Sequence, residues 1–301
     1  MKTIQSNPPR VLAAQGLCKN YGEQTVLKDL DLALEPGRIY GLIGRNGAGK
    51  TTLMGILTAQ TPATSGSVTY GGEPVWENAR ALSEICFSRE LSPTVLMGRN
   101  TFRIKQILRM ASYYYPNWDK DYAQNLVEAF GLDVKKQICK LSSGMRSMVT
   151  ILLALASRAP VTFLDEPVAG LDVVARDQFY RLLLEEYERS ERTFVISTHI
   201  IEEAASVFEK VLFLDHGSLL LAEDTDTLLS HYAYLSGREE DVQAAAEGRP
   251  VLHREQMGRS VTLCVGEADE ALSQRCQALD VACDPVPLQK LFVYLAGQKE
   301  A

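Results

Sequence analysis

No stretch of this sequence is apolar enough to cross a membrane. The longest wholly apolar run, Ile151 to Ala156, is far short of the ~20 residues a spanning helix needs. Met1 to Arg10 has no apolar segment of the kind a secretory leader carries. Any work on a membrane is therefore expected to pass through a partner. None of the six cysteines (Cys18, Cys86, Cys139, Cys264, Cys276, Cys283) forms a C-x-x-C pair. That spacing disfavours zinc and thiol-redox motifs and fits isolated thiols in a reducing cytosol. Long basic runs are missing too. With a net charge of −7, nucleic acid is not expected as the main partner, because phosphate backbones are held by clustered Lys and Arg. There is no internal repeat and no low-complexity tract.

What is present supports a real core. The chain has 301 residues and is 46% hydrophobic, enough for a large domain and a small one, or two medium ones. Val11–Ala14, Thr25–Leu27 and Leu30–Leu34 pattern as strands, with turn signals at Tyr21-Gly22 and Pro36-Gly37. Ser67–Tyr70 reads as a further strand closed by Gly71-Gly72. The period becomes helical from about 101 to 130 and again from Leu141 to Ser157. Val161–Leu164 and Phe194–Ser197 read as short, buried, parallel-type strands, and Val211–Leu214 with His216-Gly217 as a late hairpin. Composition shifts near 234–237, and a small α+β domain is expected beyond.

The most informative stretch is Gly44-Arg45-Asn46-Gly47-Ala48-Gly49-Lys50-Thr51-Thr52. It fits the phosphate-binding loop G-x-x-x-x-G-K-[ST], with a buried strand leading in and a helix leading out. Its glycines let successive N–H groups turn inward at phosphate oxygens, and the helix start adds its dipole. Lys50 is expected to reach the β- and γ-phosphates, and the Thr51 hydroxyl to ligate Mg²⁺. Val161-Thr162-Phe163-Leu164 then ends in Asp165-Glu166. A carboxylate at the end of a buried strand sits beside such a metal. Asp165 is expected to hold the ion and Glu166 to polarise the attacking water.

Leu141-Ser142-Ser143-Gly144-Met145 opens a helix about twenty residues earlier. Here the sequence resembles the nucleotide-binding subunits of ABC (ATP-binding cassette) transporters. Their signature usually reads L-S-G-G-Q, so Ser143 and Met145 depart while Ser142 and Gly144, donors to phosphate, remain. A plain serine N-cap would give the same local pattern. By resemblance His199 touches the γ-phosphate and assists Glu166. Ala169-Gly170-Leu171-Asp172 looks like the family's D-loop, where Asp172 could also cap a helix. Tyr21 stands where the family stacks adenine. Glu90 falls where the family usually has a metal-sensing Gln, and is assigned to Mg²⁺.

The resemblance implies a P-loop NTPase: an α/β RecA-like core with an antiparallel β subdomain and an α-helical signature subdomain at about 90–158. This ABC ATPase domain is expected over 10–235, with the accessory domain over 237–301. It implies ATP and Mg²⁺ as cofactors, integral membrane permease subunits as partners, and a second ABC ATPase chain completing each site. The place implied is cytoplasmic, peripheral on the inner face of the cell membrane, with export favoured over import. Two rivals are a soluble ABC ATPase of translation or DNA repair and a degenerate regulatory module.

Overall fold

A computed structural model describes residues 10–89, 102–258 and 260–297. The chain folds as two compact units, one of Met1–His199 with Leu214–Leu220, the other of Ile200–Phe213 with Leu221–Ala301. The composition shift at 234–237 lies inside a strand, Tyr232–Arg238, that pairs on both sides.

In the first unit, four parallel strands lie side by side in the order Ile85–Ser88, Val161–Asp165, Thr193–Ser197, Ile39–Gly44. All of Ile39–Gly44 and Thr193–Ser197 is buried, as is Val161–Asp165 up to its last residue. Burial on both faces explains why these strands read as unbroken apolar runs. Register puts Ser197 opposite both Leu42 and Asp165. The carboxyl ends of the strands thus share one edge, where ligands bind in open α/β sheets.

An antiparallel sheet joins Gln24–Leu34, Leu12–Tyr21, Ser65–Tyr70 and the short Glu73–Pro74. The two strands expected at 25–27 and 30–34 are one. Register slips between Leu17 and Lys19 of the partner strand, and Asp29 takes a φ of 42°. A bulge, not a turn, absorbs the break in the pattern. The helical stretch expected at about 101–130 is instead two helices, Ile104–Tyr114 and Lys120–Ala129. Pro116 explains this: a residue before proline is driven out of the helical region, and Tyr115 has φ −93° and ψ 116°.

In the second unit, an antiparallel sheet runs Val251–Met257, Ser260–Gly266, Tyr232–Arg238, Ala282–Pro285. With helices Glu239–Ala245 and Glu270–Ala278 the chain order is β-α-β-β-α-β, the ferredoxin-like arrangement. Leu235, Val242, Val261, Leu263 and Leu272 form its core. The helix Leu288–Gly297 follows, with Phe292 edge-on to Phe213 at 5.1 Å.

Candidate functional site

The phosphate-binding loop runs from the end of Ile39–Gly44 into the helix Lys50–Leu57. Gly49, the helix N-cap, has φ 106°, a conformation that only glycine adopts cheaply. A Cβ there would also lie 2.9 Å from Leu27. Lys50 is buried, and its Nζ donates to the carbonyls of Gly44 at 2.7 Å and Arg45 at 3.3 Å. Burial pushes its pKa down, while the charges of Glu166 and Asp165 oppose that shift. A cation held between desolvation and two carboxylates is poised for an anionic ligand.

A cavity of about 360 Å³ opens over this loop, lined by Asn46, Gly47, Gly49, Lys50, Thr51, Thr52, Asp165 and Glu166. Val26, which no motif flagged, lines it as well. A larger hollow of about 490 Å³ lies against Tyr70 and Arg80, away from the phosphate loop. Its lining brings together no such set of cation, hydroxyl and paired carboxylates, so the smaller cavity is the candidate site.

Across that cavity the Thr51 hydroxyl donates to Asp165 Oδ2 at 2.8 Å. Ser197 Oγ donates to Asp165 Oδ1 at 2.5 Å. Glu166 takes a φ of 49°, and its N–H reaches both the carbonyl and the hydroxyl of Ser197 at 3.1 Å. Its Oε2 lies 2.7 Å from His199 Nδ1. Hydroxyl and carboxylate oxygens are the donors a hard divalent ion takes. Thr51 beside Asp165, in a cavity shared with the glycine-rich loop and a buried lysine, therefore fits Mg²⁺ with a nucleotide phosphate.

The other expected residues stand apart from this cavity. Ser142 is exposed and caps the helix Ser143–Ala156, accepting from Met145 N–H at 3.2 Å. Asp172 caps Val173–Ser190, accepting from Ala175 N–H at 2.9 Å. Both capping geometries are realised, whatever else these side chains do. Tyr21 is half exposed, with the Lys19 ammonium 4.7 Å from its ring centroid. Glu90 lies outside the described residues.

Sequence spacing did not show that the signature and the D-loop pack together. A Cβ on Gly144 would sit 2.7 Å from the Gly170 carbonyl, and one on Gly170 would meet Ser143 Oγ at 2.7 Å. Gly144→Ala should therefore destabilise the chain by about 1–3 kcal/mol and lower ATPase activity. A thermal melt that does not move would mean that the D-loop gives way freely.

The ABC transporter family model matches residues 27–169. The taurine import ATP-binding protein TauB of Escherichia coli O157:H7 is 30% identical over 216 residues, 69% of this chain and 80% of that one. The chain belongs to the ABC transporter ATP-binding family. The ABC transporter ATP-binding protein YtrB of Bacillus subtilis (strain 168) is 27% identical over 94% of this chain and 97% of its own length. In fold the chain matches an ATP-binding subunit of an ABC transporter with a TM-score of 0.63 at 22% identity, over 72% of this chain and 91% of that one. A dimeric cassette in a post-hydrolysis state with ADP and phosphate gives 0.61 at 21%, over 71% and 98%. As a member of that family, the chain is an ATP-binding and ATP-hydrolysing transporter subunit that uses ATP with Mg²⁺. Such subunits dimerise and work with membrane permeases. Among its described residues no helix is long and apolar enough to cross a membrane.

Proposed function

We propose that this chain is the ATPase subunit of an exporter, bound to the inner face of the cell membrane by separate permease subunits. The observation that carries the site assignment is the convergence of Lys50, Thr51, Asp165 and Glu166 on one cavity, with His199 bonded to Glu166. In this reading the N–H groups of Gly47 and Gly49 and the Lys50 ammonium hold the phosphates, with Asn46 and Thr52 beside them. Thr51 and Asp165 hold Mg²⁺, which would supply charge neutralisation for the phosphoryl group. Glu166 orients and polarises water, and His199 fixes the Glu166 carboxylate. Glu90 keeps its assignment near the metal, and Tyr21 is placed under the adenine.

Ser142, Gly144 and Asp172 serve a second cassette in this proposal. They line no part of the chain's own cavity, and Ser142 stands exposed at the start of a 14-residue helix. That terminus is suited to a phosphate presented by another chain. A permease is proposed to dock on the helical part, where Met110, Tyr113 and Tyr114 are exposed on one short helix. The ABC domain is proposed to span 10–235, with 237–301 as an accessory element. Export rests on family resemblance. The lantibiotic transport protein SrtF of Streptococcus pyogenes, 29% identical, is covered over 92% of its length. TauB, covered over 80% of its length, is an import protein and stands against this direction.

Two experiments test this. Affinity purification of the full chain from detergent-solubilised membranes should bring down an integral membrane protein in stoichiometric amount. A chain that elutes alone with full ATPase activity would point to the soluble rival. For direction, a deletion strain should accumulate a small molecule inside the cell, and depletion of one would reverse the assignment.

A further inference from the structure

Ser197 belongs to none of the motifs that led to the site. It ends the strand Thr193–Ser197, in register with Asp165, and is fully buried. Its hydroxyl donates to Asp165 Oδ1 and accepts from the Glu166 N–H. A serine hydroxyl has one proton and two lone pairs, so it can do both at once. At 2.5 Å the contact with Asp165 is of the short, charge-assisted kind. Because Oδ1 is committed to Ser197, Oδ2 is the oxygen left to face Thr51, which it meets at 2.8 Å. Glu166, meanwhile, holds a left-handed backbone that a residue with a Cβ adopts only at a cost. Both Ser197 oxygens accept from its N–H there.

We propose that Ser197 is a positioning residue for ATP hydrolysis. Its hydroxyl selects which Asp165 oxygen faces the metal side and anchors the backbone from which Glu166 reaches its water. This rests on the roles proposed above for Asp165 and Glu166. The plain alternative is a serine that merely satisfies a buried strand end. The two differ when the hydroxyl is removed and the shape is kept.

The test uses the full chain with Ser197→Ala and with the near-isosteric pair Ser197→Thr and Ser197→Val. Mn²⁺ affinity in the presence of ADP is read by electron paramagnetic resonance, beside kcat, KM for ATP and the melting temperature. Residues that orient a metal ligand typically change metal affinity or activity by about 10–100-fold when removed. Ala and Val should each weaken Mn²⁺ binding and lower kcat by about tenfold, with KM for ATP little changed, and Thr should restore both. Unchanged Mn²⁺ affinity and kcat in Ala and Val would overturn the proposal. So would a folded Thr variant as impaired as Val, which would assign Ser197 to packing. If Thr fails to fold, the Ala values decide by the same criteria. Glu166→Gln is the control. If it stays active, the underlying site reading fails. If it is inactive while Ser197→Ala is normal, only the present inference fails.

Discussion

Glu166→Gln is expected to lower steady-state ATP hydrolysis by about a hundredfold or more while ATP binding persists. The substitution keeps the side chain's size and one acceptor oxygen but removes the carboxylate that can take a proton. Gln both donates and accepts, so the contact with His199 Nδ1, 2.7 Å in the native chain, has a partner in either imidazole tautomer. The phosphate side is untouched. Lys50, Thr51 and Asp165 keep their mutual arrangement, so nucleotide should still bind with its metal. What is lost belongs to the step in which water attacks. The measurement is phosphate release by the isolated chain and by its membrane complex, beside nucleotide binding by equilibrium dialysis. Hydrolysis within about twofold of the wild type, against the hundredfold or more expected of a lost general base, would remove Glu166 from the chemistry. Loss of binding as well would move its role to the ground state.

The second large effect lies away from the nucleotide. Glu186→Ala should destabilise the first unit by about 3–5 kcal/mol, the usual consequence of leaving a buried charge without its partner. Glu186 and Arg192 are both almost wholly buried. Arg192 Nη1 donates to Glu186 Oε1 at 2.9 Å, and Arg158 bonds the other carboxylate oxygen. Burial pushes the Arg192 pKa down, and Glu186 is the chief group opposing that shift. Arg192 also donates to the carbonyls of Ala154, Leu155 and Ala159 and to the Thr162 hydroxyl. Arg158 adds Asp119, the cap of Lys120–Ala129, at 2.9 Å. The network therefore ties the C-terminal end of the signature helix to the start of the strand that carries Asp165. An exposed pair gives the contrast. Arg254 with Glu239 at 2.6 Å is more than two-fifths exposed on each side, and Arg254→Ala should cost at most about 1 kcal/mol. Urea titration of both variants makes the comparison. A Glu186→Ala shift no larger than the Arg254→Ala shift would mean that the buried network relaxes or admits water.

How much could be read without coordinates depended on range along the chain. The phosphate loop was legible because its function is local: consecutive residues supply the turn, the N–H groups, the lysine and the hydroxyl. Asp165-Glu166 was legible because a buried strand ending in charge breaks a strong pattern. Ser197 was invisible for the opposite reason. A serine closing an apolar strand is ordinary until register sets it beside Asp165. Glu186 and Arg192 likewise look like surface charges on a polar helix and its following turn, and only packing buries them. The composition shift near 234–237 falls within the strand Tyr232–Arg238, and its pairing on both sides depends on partners far along the chain.

The sequence by itself determined the phosphate-binding chemistry, the two acidic residues at a strand end, the order of the motifs and hence the class of ATPase. Each motif is written in neighbouring residues, where composition and spacing act directly on the backbone, and their order is read straight off the chain. Only the tertiary structure decided which groups meet. It set Thr51 and Ser197 on opposite oxygens of Asp165, His199 on Glu166, and Gly144 against Gly170. Those contacts join residues far apart in the chain, and their geometry follows from parallel register and close packing, which no local pattern encodes.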